Sequence, residues 1–224
     1  MGRKTTIHAR YAETVVAAVR AKVDWLIHAS YMRRQDLGFV RDSRTPICPT
    51  LTFTANIVEW GADAGVDPKY VETKRRELDA LVDIHSRAHQ AGIPLLAGSE
   101  SGFSVTPYGE WHTREIELMV ALLGLSPMEA ILAATRNNAA AFGWTDTGTI
   151  EPGKRADLIV VDGDPLADIR VLGQADKLSV ILKDGRAVEG RAVAPQRLRM
   201  AHERGYNVSA TVLHRAAAEG SAAS

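Results

Sequence analysis

The chain has 224 residues, 46% of them hydrophobic and 24% charged, which is enough apolar material for a substantial core and excludes a disordered polypeptide. Its 27 basic and 27 acidic side chains balance and are scattered, so no electrostatic footprint for nucleic acid is present and a small-molecule partner is expected. No apolar run approaches the length of a membrane span, and Cys48 is the single cysteine, which excludes an internal disulfide and a cysteine zinc knuckle and points to a cytoplasmic setting.

Short β-type runs alternate with longer helical ones as far as about residue 146, the pattern of βα units in a parallel sheet. Residues 5–8 are predicted as the first strand, and residues 12–22, with apolar positions 12, 15, 16 and 19, as an amphipathic helix. Residues 24–28 (DWLIH) give the second strand, 33–43 a short helix, and 45–50 (TPICPT) a third strand bounded by prolines. A Gly, Asp and Ala-rich loop follows Trp60, and Pro68 then opens a long helix that Gly92 closes and Pro94 prevents from continuing. Residues 94–98 (PLLAG) form the fourth strand. Helices follow over 113–123 and 127–135, the second with a capping box between Ser126 and Glu129.

From residue 147 the text becomes β-rich. Glu151-Pro152-Gly153-Lys154 is a turn, because Pro sets φ at its second position and Gly supplies positive φ at its third. Residues 158–161 are a strand, and residues 180–188 (VILKDGRAV) a hairpin with Asp184-Gly185 at its tip. The expected organisation is an α/β half-barrel of about four βα units over 1–146, part of a small β-domain over 147–194, and a helical, fraying tail over 195–224.

Functional side chains of parallel α/β barrels sit at the C-terminal ends of strands. His8 ends the first predicted strand, His28 the second, and Glu100 lies just past the fourth. Two imidazoles and a carboxylate are ligand types that suit zinc or a similar divalent ion, although a histidine at a strand end is equally a hydrogen-bonding rim residue. Tyr108, Trp111 and His112 fall in the loop after the fourth strand, where they could line a substrate pocket or simply pack. His85 and His89 lack the intervening Glu of a zinc-protease helix and read as outer-helix residues, and Asn137 and Asn138 read as capping or packing residues.

The phrase over 148–168, GTIEPGKRADLIVVDGDPLAD, resembles the C-terminal signature of the metal-dependent amidohydrolase superfamily. Thr6-Ile7-His8-Ala9 and Leu26-Ile27-His28-Ala29 resemble its strand-five and strand-six phrases, and residues 94–102 (PLLAGSESG) its strand-eight phrase, most similar to the imidazolonepropionase-like and prolidase-like branch. The resemblance covers about residues 3–190. It implies the C-terminal half of a (β/α)₈ barrel, with His8 and His28 as metal ligands for one or two divalent ions, zinc being expected. It also implies that the strand-eight carboxylate takes a proton from the attacking water and passes it to the leaving group, in hydrolysis of an amide or related C–N bond.

Two departures qualify that reading. The family's Asp is replaced by Glu100, one methylene longer. The strand with His-x-His and the strand with the bridging ligand are not found before His8, and residues 1–4 read as the end of a preceding helix. The expectation is therefore a part of a longer, homo-oligomeric enzyme whose N-terminal half is supplied in cis or in trans. The alternative is a non-catalytic fragment or pseudoenzyme module that only assembles with such a half.

Overall fold

The computed structural model describes residues 3–188 and 208–221. The first sheet is parallel, in the order β1 (Thr6–Tyr11), β2 (Trp25–Tyr31), β3 (Ile47–Cys48). Thr6 pairs with Trp25 and His8 with Ile27. The expected fourth strand is reduced to one parallel bridge, Ile47 to Leu95, closed by Ile47 N–H to Pro94 O at 3.0 Å and Leu96 N–H to Ile47 O at 2.8 Å. Its far edge is satisfied by side chains instead of a strand. Asn137 Nδ2 donates to Leu95 O at 3.2 Å and Asn138 Nδ2 to Ala97 O at 3.0 Å, while Ala97 N–H reaches Ala133 O. Both amides therefore cap backbone, as their position near a helix end suggested.

Helix α1 (Ala12–Arg20) buries Ala12, Val15, Ala18 and Val19 against the sheet. A short α2 (Leu37–Ser43) precedes β3. The next helix, α3 (Leu51–Trp60), was not foreseen: LTFTANIVEW is rich in β-branched and aromatic residues, yet residues from Leu51 to Ile57 are all buried, and that tertiary burial overrides propensity. The long helix, α4 (Pro68–Gln90), is capped by Asp67, whose carboxylate accepts from the N–H groups of Lys69 and Tyr70. Its buried stripe is Lys74, Glu77, Leu81, Ile84, His85 and Ala88. His85 is completely buried, so it faces the sheet and is not the outer-helix residue expected.

Helix α5 (His112–Leu123) starts one residue earlier than expected. Helix α6 (Pro127–Leu132) carries the full capping box: Ser126 N–H donates to Glu129 Oε2 at 2.8 Å and Glu129 N–H to Ser126 Oγ at 3.3 Å. The predicted continuation to residue 135 is instead a π turn (Ala133–Asn137), followed by α7 (Asn138–Phe142). That wider turn brings both asparagines onto the fourth sheet segment. Close packing recurs at Gly98, where a Cβ would lie 2.6 Å from the buried Cys48 Sγ.

A second, antiparallel sheet comprises β4 (Leu158–Val161), β5 (Leu178–Lys183) and β6 (Arg186–Ala187). Asp184 and Gly185 both have positive φ at the hairpin tip, as a type I′ turn requires. Ile159 and Val160 are half exposed. At the C-terminal end, α8 (Arg215–Ser221) docks through Arg215, which donates to both oxygens of Glu117, and through Ala218 in a second core with Trp111, Phe53 and Ile57. The tail expected over 195–224 thus contains a docked helix, and the expectations for 189–207 and 222–224 lie outside the described residues. Among the described residues no helix is long and apolar enough to cross a membrane.

Candidate metal centre

At the C-terminal ends of β1 and β2 the backbone leaves regular strand geometry. The pairing slips between Ala9 and Tyr11, and His28 and Ala29 take positive φ of 76° and 52°. Those kinks turn the His28 ring toward β1. His8 Nδ1 and His28 Nε2 are 2.8 Å apart, and Glu100 Oε1 lies 3.7 Å from the first and 3.5 Å from the second. Glu100 also holds positive φ, at 52°, and its carbonyl accepts from Thr106 Oγ1 at 3.2 Å, which fixes the loop that presents it. Among the described residues this is the one group of three metal-ligating side chains whose donor atoms all lie within 4.8 Å of one another.

Electrostatics make the donor set suitable for a cation. His28 is buried, and that burial, reinforced by the nearby Arg10 charge, lowers its pKa to about 3, so the ring is neutral at physiological pH. Burial raises the Glu100 carboxyl above its ordinary range, against the opposing pull of Arg10. His8 is the solvent-facing member, with 62% of its side chain exposed, so the centre has an open side. Two imidazoles converging beside a carboxylate are a donor set that suits a divalent ion, which His8 and His28 would hold with Glu100 alongside.

Behind this centre lies a buried charge cluster that the residue types concealed, because Lys and Glu on a helix ordinarily read as a solvated face. Glu77 accepts from Lys74 Nζ at 2.7 Å, Ser30 Oγ at 3.0 Å and the Arg10 guanidinium. Burial works to raise Glu77, but the Lys74 hydrogen bond and the two cations hold it below its usual value. Lys74 also sits over the rings of Phe53 and Tyr70.

The three loop residues separate. Tyr108 is 73% exposed. Trp111 is fully buried, donates from Nε1 to Leu213 O at 2.9 Å and packs on Trp60, so its ring serves the second core and presents no face to the mouth. His112 Nε2 accepts from Gly109 N–H at 3.2 Å, which leaves the proton on Nδ1, facing Ser99 Oγ at 3.0 Å and Ser101 Oγ at 3.3 Å. A donating imidazole cannot serve as a base to either serine, so this Ser–His contact is a loop clamp and not a nucleophile pair. His89 lies 3.7 Å from Glu129, away from the centre.

Sequence and fold comparisons show what the chain is similar to. The family model described as "Amidohydrolase family" matches residues 1–188. Ochratoxinase from Aspergillus niger is 25% identical over 195 residues, covering 86% of this chain and 39% of the relative. Imidazolonepropionase from Pyrobaculum arsenaticum is 57% identical over 106 residues, covering 47% of this chain and 26% of the relative. Among solved structures, a Xaa-Pro dipeptidase with bound methionine in the active site superposes with a TM-score of 0.71 at 28% identity, over 84% of this chain and 45% of that one. The chain thus spans less than half the length of these relatives. With the family model matching most of its length and an α/β partial-barrel fold shared with solved members, the chain belongs to the amidohydrolase family.

Proposed function

We propose that this chain is the C-terminal part of a hydrolase of amide or related C–N bonds, acting on a small non-peptide or dipeptide-like substrate. The observation that carries the reading is the convergence of His8 Nδ1, His28 Nε2 and Glu100 Oε1 at the strand ends. A divalent ion there, zinc in this reading, would supply a water activated at neutral pH and polarise the scissile carbonyl. Glu100 Oε1 takes the proton from the attacking water and returns it to the leaving nitrogen, a role favoured by its raised pKa and its reach to both imidazoles. His8 and His28 hold the ion. Tyr108 offers an exposed ring to the substrate, Trp111 supports the loop from behind, and His112 clamps it.

In this proposal residues 1–146 are half of an eight-stranded barrel, the described residues 147–188 are part of a small β-sandwich, and α8 is an appended helix. The partner is an N-terminal half, in the same polypeptide or a separate one, and the assembled enzyme is a cytoplasmic homo-oligomer. The coverage of the relatives and the half-exposed strands β4 and β5 support it.

Supplying an N-terminal half with zinc is expected to produce hydrolysis of at least one member of a panel of dipeptides, N-acyl amino acids, lactams and ureas. No turnover of any member, with zinc bound and the halves associated, would leave the non-catalytic module as the better account.

A further inference from the structure

We propose that Thr50 and Glu115 are positioning residues that set which nitrogen of His28 carries the proton, keeping Nε2 bare toward His8 and Glu100. The inference deepens the reading of His28 as a metal ligand and rests on it for its purpose, though not for its geometry.

Thr50 Oγ1 lies 2.6 Å from Pro49 O and 2.6 Å from His28 Nδ1. A carbonyl only accepts, so the single hydroxyl proton belongs on the Pro49 side; the opposite arrangement would press two oxygen lone pairs together. The hydroxyl oxygen must then accept from the ring, and the His28 proton sits on Nδ1. Nε2 keeps its lone pair, 2.8 Å from His8 Nδ1 and 3.5 Å from Glu100 Oε1. The hydrogen bond made by one ring nitrogen thereby decides which chemistry the other can do.

Thr50 reaches that position at a conformational cost. Its φ is 57°, a left-handed value that a β-branched residue adopts only under external constraint. Glu115 supplies the constraint from α5, more than sixty residues away in sequence. Its buried carboxylate accepts from Leu51 N–H at 2.9 Å, Thr52 N–H at 2.8 Å and Thr52 Oγ1 at 2.6 Å. Those are donors of the first turn of α3, which would otherwise be left unpaired inside the core. Pinning that turn pins the residue before it, which is Thr50.

The test is long-range proton–nitrogen correlation NMR on the metal-free, histidine-labelled chain, with the His28 signals identified by their loss in His28→Gln, alongside zinc titration of each variant. Wild type and Thr50→Ser are expected to show a protonated Nδ1 and a bare Nε2. Thr50→Val is expected to move the proton to Nε2 and weaken zinc binding by about 10- to 100-fold, the usual range for loss of a ligand's orienting partner. Glu115→Gln is expected to give a mixture of both tautomers in a chain whose helical circular dichroism is retained. A protonated Nε2 in wild type overturns the proposal whatever the variants do, as does Thr50→Val with unchanged tautomer and unchanged zinc affinity. A bare Nε2 in a wild-type chain that takes up no zinc would support the Thr50 device and overturn the metal reading, so the two fail separately.

Discussion

Glu100→Gln is expected to lower kcat of the assembled enzyme by on the order of 10²–10⁴-fold while leaving KM and zinc affinity within a few-fold of wild type. The amide keeps the size and polarity of the side chain but cannot take up a proton at Oε1. The loop that carries it has anchors of its own, Thr106 Oγ1 on Glu100 O and Gly102 N–H on Thr106 O at 2.9 Å, so the substitution leaves the backbone in place. Glu100→Asp should fall between the two, since a withdrawal of about 1 Å costs on the order of a hundredfold in positioning. Steady-state kinetics checks both variants. A loss of less than tenfold in Glu100→Gln would remove Glu100 as the base and leave it a rim carboxylate.

The second large effect concerns stability against pH. Burial lowers His85 from 6.5 to about 4; its Nδ1 faces Leu81 O at 2.8 Å, while Nε2 makes no well-formed hydrogen bond, although the His28 backbone is near enough to favour the charged form. The unfolded chain therefore binds a proton at this histidine that the folded chain refuses. The stabilisation is fully present above pH 6.5 and is lost as pH falls toward 4, by about 3 kcal/mol at about 1.4 kcal/mol per unit. His28 acts in the same sense, down to about pH 3. Glu115 acts in the opposite sense: burial raises it to about 7 against the Thr52 hydroxyl and two backbone donors, so its proton favours the folded state between about 4.5 and 7. His85→Leu should thus cut the loss of stability between pH 6.5 and 4 by about 3 kcal/mol, with no penalty at pH 7 because an unpaired buried nitrogen is removed. Urea unfolding across that range measures it. Parallel stability curves for wild type and variant would mean that His85 is already solvated or paired.

Much of this arrangement could be read from the residues. Val15 and Val19 announced their helix by spacing, Asp184-Gly185 announced a hairpin, and Ser126 with Glu129 announced a cap, because each is a local signal that tertiary context did not override. His8 and His28 were found as strand-end residues whose meeting required only that the adjacent strands β1 and β2 be parallel; Glu100, just past the fourth segment beyond β3, joins them from across the sheet.

What escaped detection depended on contacts distant in sequence. Residues 51–60 carry β-type side chains and became a helix only because the fold buries them nearly all round. Lys74 and Glu77 are residue types of a solvated helix face, yet with His85 they lie on the buried stripe of α4. Thr50 looked like the end of a strand. Its position at the C-terminal end of β3, where barrel chemistry collects, was the available clue. Glu115 offered another, since it lies one helical turn before Met119 on the same face, a place where an unpaired carboxylate would be costly.

The central claim, that His8 and His28 hold a divalent ion beside Glu100, is tested most directly by calorimetric titration of zinc into the metal-free chain and into His8→Asn and His28→Asn. The account predicts saturable uptake near one equivalent in the wild type and a loss of at least 100-fold in affinity in each variant. Absence of uptake by a folded wild-type chain, or uptake that survives both substitutions, would contradict it.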